Sequence, residues 1–298
     1  MEIYARITER LKTGLQQIAS GKSYLTDPVY HIIDPRSTAE VGKSMLLKGD
    51  KVTAKKYLDW VVTQQSKNGS WGEMIEKKDT REESCVATPI IGRILLIAYR
   101  ETKNETYLHA AMQALNYVES KEFLPGYFIK SDNHYNDVLN VNASCAAFFQ
   151  KAYEVTEEKK WLVIRDRAIF NVVRYQFKDG AYPYAARMHT FPYEHHLNVR
   201  DPHYHALTLY FLLLADPTHS NRYLAISYRK AIIWLQKQFK KGKIDWSEDE
   251  HSFSIGVTGA YGYAWYCCMV HKDKETGDKI LKHLAELQEE NGLFKRFE

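Results

Sequence analysis

Apolar residues recur along most of the chain at three- and four-residue intervals, the spacing of one face of an α-helix. Between Lys51 and Gln65, Leu58, Val61, Val62 and Gln65 share such a face; between Glu105 and Ser120, so do Leu108, Met112, Leu115 and Val118. Each amphipathic segment gives way to a polar loop. A more continuously apolar segment then follows, over Thr80–Tyr99, Val141–Val155, His203–Ala215 and Ser254–Val270. A segment apolar all round predicts a helix buried on every side, paired with an outer helix whose polar face meets water. No run alternates apolar and polar residues between turn signals, so strands are not expected. The pattern is all-α.

A short phrase punctuates it: Gln, three residues, Gly, one residue, then usually an aromatic or apolar side chain. It stands at Gln65–Gly69–Trp71, Gln176–Gly180–Tyr182, Gln238–Gly242–Ile244 and Gln288–Gly292–Phe294, with a Glu variant at Glu122–Gly126–Phe128 and a weaker copy at Gln17–Gly21–Ser23. The starts are 48, 57, 54, 62 and 50 residues apart. Glycine ends each outer helix in the left-handed conformation that only glycine adopts cheaply. Helix hairpins of this length with long loops predict a single α/α toroid over residues 1–298, with six outer and about five inner helices. No inner helix follows the sixth phrase. The expectation is an incomplete ring, or an N-terminal segment in the gap; an open seam would leave room for a homodimer.

The segment LDWVVTQQSKNGSW resembles the QW repeat of squalene–hopene cyclases and prenyltransferase β chains, which are α/α toroids. The stretch from Val141 to Leu214, with NVNASCAAFF, QFKDGAYPY and the later DPHYH, looks like a group of bacterial toroid proteins associated with surface-polysaccharide biosynthesis. That likeness implies the fold and a saccharide or glycoconjugate as partner; toroids as a class carry many activities. Terpenoid chemistry is argued against by the absence of DxDD and DDxxD acidic motifs. Cys267, Cys268 and His271 are the nearest approach to a zinc set. Adjacent residues on a helix point about 100° apart, so the two thiols do not share one metal easily. No metal and no cofactor are expected.

Composition narrows the classes further. With 41 basic and 37 acidic residues the net charge is +4, too small to argue for nucleic acid. No run reaches the roughly 18 apolar residues of a membrane span. Four cysteines without Cys-x-x-Cys spacing, and no apolar signal core at the N-terminus, suggest a reduced cytoplasmic protein.

Polar clusters precede the inner helices at equivalent places in the repeat, where a ring would gather them on one concave surface. Five of the twelve histidines lie within seventeen positions, His189 to His205. The candidate catalytic residues are His134, Tyr135, His189, Arg200, Asp201, His203, Tyr204 and His205. The candidate substrate-binding residues are Trp71, Arg81, Glu82, Asn140, Asn142, Tyr182, Tyr184, Trp246, His251 and Tyr261. Aromatic rings stack on sugar faces and Asn bridges hydroxyls. Inverting or breaking a uronate at C5 needs a base, an acid and a cation on the carboxylate, roles open to His205, Tyr204 and Arg200. Glycoside hydrolysis would need two opposed carboxylates, for which Asp201, Glu82 and Asp137 are available. Local structural roles compete: Asp201 and Pro202 form a helix start, Asn140 suits an N-cap with Asn142 then facing the axis, and Trp71 suits a staple between helices. Gly256, Gly259 and Gly262 suit close helix packing near a narrow axis. The alternative to an enzyme is a toroid that binds a glycan or protein partner without turnover.

Overall fold

The computed structural model describes residues 2–19, 21–26, 32–73, 83–133, 135–188, 199–244 and 257–295. They include eleven α-helices: α1 (Glu2–Ala19), α2 (Pro35–Leu47), α3 (Lys51–Thr63), α4 (Thr88–Thr102), α5 (Glu105–Ser120), α6 (Leu139–Thr156), α7 (Lys160–Val173), α8 (Pro202–Ala215), α9 (Arg222–Gln238), α10 (Gly259–Val270) and α11 (Lys274–Glu286). Turns of a few residues join each even-numbered helix to the next odd-numbered one. The connections from odd to even helices are long. Side-chain caps fix most helix starts: Asp34, Asp50, Asn104, Asp201, Asn221 and Asp273 each accept from a backbone N–H of the first turn. Helix α2 falls in a stretch for which the periodicity predicted no range. Four short strands depart from the strand-free expectation: β1 (Glu122–Leu124) pairs with β2 (Tyr127–Phe128), and β3 (Asn136–Val138) pairs antiparallel with β4 (Ala185–Met188). Two- to four-residue strands are too short for an alternating pattern to register in the sequence.

The chain forms two compact units, one from Met1–Leu15, Asn136–Ala143 and Ile169–Glu298, the other from Gln16–Tyr135 and Ser144–Ala168. The second unit closes on Trp71, Tyr107, Phe128, Phe148, Phe149 and Trp161, all fully buried; Phe149 stacks on Trp161 with centroids 5.7 Å apart. The first closes on Tyr182, Leu209, Phe211, Leu212, Phe239 and Tyr261.

The recurring phrase proves to be a clamp, and it works the same way in both units. Gln65 Nε2 donates to its own loop at Gly69 O (2.9 Å) and to Ala110 O (2.8 Å) in α5, the next odd-numbered helix. Gln176 does so to Gly180 O (2.9 Å) and Ser227 O (2.9 Å), and Gln288 to Gly292 O (2.7 Å) and Ile7 O (3.0 Å). The glycines have positive φ and press on the backbone of the same neighbouring helix. A Cβ at Gly69 would sit 2.3 Å from Gln113 O, and one at Gly180 2.3 Å from Lys230 O. Only glycine meets both demands. Gly21, of the weak first copy, has φ +77° but open space around it. The sixth phrase clamps α1, since a Cβ at Gly292 would lie 2.0 Å from Arg10 O. The N-terminal helix therefore stands to the C-terminal phrase as α5 stands to the Gln65 phrase, and among the described residues no inner helix follows α11. None of the described helices is long and apolar enough to cross a membrane.

Candidate functional site

After each clamp the chain enters the next even-numbered helix, and side chains near its start lock the phrase from that side. The N–H of Trp71 donates to Thr88 Oγ1 (3.0 Å), that of Tyr182 to His205 Nδ1 (3.0 Å), and that of Ile244 to Tyr261 Oη (3.2 Å). Three residues of different chemistry thus do one structural job. His205 is fully buried, stacks on Tyr182, meets the Trp234 ring at a tilt, and also bonds through Nε2 to Ala231 O (3.1 Å). Because Nδ1 accepts, Nε2 must carry the proton and donate. Burial pushes the imidazole down to about 4, so it is neutral at pH 7. His205 is not placed to move a substrate proton, a correction to the sequence expectation.

Trp71, Tyr182 and Tyr261 are likewise corrected from substrate-binding candidates to core. All three are fully buried; Trp71 Nε1 donates to Val61 O (2.8 Å), and Tyr182 Oη shares a hydrogen bond with Ser227 Oγ (2.6 Å). Arg200 does not stand ready as a carboxylate-binding cation: it pairs with Asp179 (2.9 Å) and lies over the Phe177 ring, 4.1 Å from its centroid. Asp201 is fully buried and caps α8 through Tyr204 N (3.0 Å). Tyr135 belongs to the second unit, where its ring meets Phe123 at 5.8 Å and its carbonyl accepts from Tyr127 Oη (2.5 Å). His134, His189, Arg81, Glu82, Trp246 and His251 lie outside the described residues.

What the first unit does assemble is a wall of half-buried rings on α8 and α10. Tyr184 meets Tyr204 at 4.5 Å between centroids, Tyr204 meets His203 at 5.0 Å, and His203 meets Tyr263 at 6.0 Å. Tyr263 meets Tyr210 at 5.2 Å, and Tyr210 meets Tyr266 at 5.0 Å. Among the described residues, little crowds the two glycines beside this line. A Cβ at Gly262 would touch nothing within 4 Å, and one at Gly259 would meet only His203 and Val257, no closer than 3.5 Å. Close helix packing is therefore not what these two glycines serve; Gly256 lies outside the described residues. Tyr210 and Tyr266 went unselected in the sequence, where Tyr263 stood only beside Tyr261 in the cluster around the fifth inner helix. The available signal was helical phase, since Gly259, Gly262, Tyr263 and Tyr266 fall on one face, whereas Tyr261 points about 200° from Tyr263.

Beside the wall, β3 and β4 bring the α5–α6 and α7–α8 connections together. Leu139 N donates to Tyr184 O (3.0 Å), so the first turn of α6 starts next to the Tyr184 backbone. Asp137 is fully buried and its Oδ1 accepts from Asn142 Nδ2 (2.6 Å) and Asn171 Nδ2 (3.0 Å). Asn142 is consequently committed to Asp137 rather than turned to open space. Asn140 lies inside α6 and does not cap it. Its Oδ1 is buried and has no hydrogen-bond partner among the described residues. An orphaned carbonyl of this kind costs about 1–3 kcal/mol unless something donates to it. Among the described residues no group of three or more His, Cys, Asp or Glu could hold a metal ion.

No protein-family model matches the chain, and no curated protein matches it significantly. Solved structures do. An α-amylase from Clostridium perfringens superposes with a TM-score of 0.72 at 16% identity, covering 97% of this chain and 90% of its own. An inactive variant of an α-1,6-mannanase from a Salegentibacter species, in complex with α-1,6-mannotriose, gives 0.73 at 11% identity, covering 98% and 91%. A D-mannose isomerase gives 0.70 at 12% identity, covering 99% and 89%. With the eleven alternating helices of its described residues, the chain has the all-α, α/α-toroid fold found among carbohydrate-active enzymes.

Proposed function

We propose that this protein is a saccharide- or glycoconjugate-processing enzyme whose substrate lies along the ring wall of α8 and α10. The observation that carries the reading is the line of rings from Tyr184 to Tyr266, half-buried and, among the described residues, uncrowded at Gly262. Aromatic faces pack on the C–H faces of pyranose rings, and the unpartnered Asn140 Oδ1 supplies an acceptor for a hydroxyl. His203 and Tyr204, on the wall itself, are the proton carriers. Proton transfer at a sugar carbon, as in a lyase, epimerase or isomerase, is favoured over hydrolysis. Hydrolysis needs two carboxylates facing the bond to be cut. Among the described residues Asp137 and Asp201 are fully buried in hydrogen bonds and Asp179 is bound to Arg200, while Glu82 lies outside them. A cytoplasmic setting goes with this reading, on four cysteines that are all free thiols.

A non-catalytic glycan platform would use the same rings and need neither proton carrier. Incubation with uronate-containing and neutral oligosaccharides in heavy water, read by mass spectrometry, separates the readings. Deuterium gain or an unsaturated fragment, abolished in His203→Ala and reduced at least tenfold in Tyr204→Phe with sugar binding retained, is the expected result. Sugar binding lost in Tyr263→Ala with no turnover anywhere would mean a platform. Water addition that survives in both proton-carrier variants would mean a hydrolase working elsewhere.

A further inference from the structure

Helix α9 has an outer face of unusual chemistry. Between Arg222 and Lys243 the sequence holds seven Lys or Arg and no Asp or Glu. Without those seven, the 41 basic residues of the chain fall to 34, against 37 acidic ones, so the positive excess is concentrated here. At about 100° per residue, positions seven apart form rows along a helix. Three such rows lie side by side: Arg222 with Arg229, Ile226 with Ile233, and Lys230 with Lys237. The isoleucine row is the middle one, and its members are 58% and 64% exposed. Tyr223, 59% exposed, extends the apolar strip to Phe170 of α7, 5.4 Å away between centroids.

This is not an ordinary solvated face. Elsewhere such faces alternate sign, as where Lys279 pairs with Glu275 (2.7 Å) on α11. Among the described residues none of the seven basic side chains of the α9 segment has an ion-pair or hydrogen-bond partner. Nor can the helix turn its isoleucines inward. Leu224, Tyr228, Ala231, Ile232 and Leu235 hold the opposite side in the core.

We propose that this face docks on an anionic lipid bilayer. A helix lying in the plane of the interface needs an apolar strip to enter the headgroup–acyl boundary, with cations beside it for the lipid phosphates. The α9 face has that order, cation, isoleucine, cation, across an arc of about 120°. A nucleic acid would use the cations but has no place for an aliphatic strip between them. The inference is independent of the sugar site, since no residue of the ring wall takes part.

The test is co-sedimentation of the full chain with phosphatidylcholine vesicles, with and without phosphatidylglycerol. Binding is expected to the anionic vesicles alone and to fall as salt rises. Lys230→Glu/Lys237→Glu should weaken it about tenfold or more, and Ile226→Ser/Ile233→Ser several-fold, with unchanged melting curves. Val52→Ser, at an 83% exposed position on α3, should leave it unaltered. Equal partition into both vesicles, no binding at low salt, or equal loss in Val52→Ser would overturn the proposal. So would a dimer, seen by light scattering, that Ile226→Ser/Ile233→Ser dissolves in protein that ignores vesicles; a second copy would then be the occupant.

Discussion

His205 shows how a side chain chosen for chemistry can serve architecture instead. Its two ring nitrogens join the Tyr182 N–H to the Ala231 carbonyl, which only a neutral ring can do. The unfolded imidazole titrates near its ordinary 6.5, the folded one at about 4. Between those values the unfolded chain binds more protons. The contribution is therefore present in full above about pH 6.5 and is lost as pH falls to about 4, a change of about 3 kcal/mol. Melting temperature should drop between pH 7 and pH 4.5 in the native protein, and less steeply in His205→Asn, which starts from a lower value. Parallel slopes would place the acid sensitivity elsewhere. The sequence supplied the cluster of histidines but not their roles. His203 and His205 differ by about 200° around α8, and only the phase fixed by packing says which ring reaches the wall. The same ambiguity separates Tyr261 from Tyr263.

At the scale of elements, the phrase was legible because three constraints act on it at once. The Gln amide ties its own loop to the next odd-numbered helix, the glycine needs positive φ, and the same glycine touches a neighbouring backbone. Each forbids substitution for its own reason, so the pattern survives against a variable background. These constraints are separable by experiment. Gly49 (φ +87°) has nothing within 4 Å of a Cβ, whereas at Gly180 (φ +102°) a Cβ would stand 2.3 Å from Lys230 O. Gly49→Ala should cost about 1–2 kcal/mol, the strain of the left-handed conformation alone. Gly180→Ala should cost about 2–4 kcal/mol, because the backbones must also separate. Denaturant unfolding of the two variants gives the ranking. Equal losses would mean that the clamp yields without strain.

On the scale of the whole molecule, the sequence left six phrases but no inner helix after the last, and it could not say what the last phrase rests on. The contact is non-local, between Gln288 and Ile7, and no periodicity connects residues so far apart in the chain. Its geometry nonetheless repeats the internal clamps: Gln288 is buried, and its amide serves Gly292 O and Ile7 O as Gln65 serves Gly69 O and Ala110 O. If equal geometry means equal strength, Gln288→Ala should destabilise about as much as Gln65→Ala. Each variant leaves two carbonyls without that donor, for a loss of about 2 kcal/mol. Urea unfolding followed by tryptophan fluorescence measures both. A Gln288→Ala loss well below that of Gln65→Ala would mean that α1 is held weakly and frays from the C-terminal phrase. A matching loss would make the N-terminal helix a full member of the repeat, joined to the last phrase by the bond that joins the Gln65 and Gln176 phrases to their neighbours.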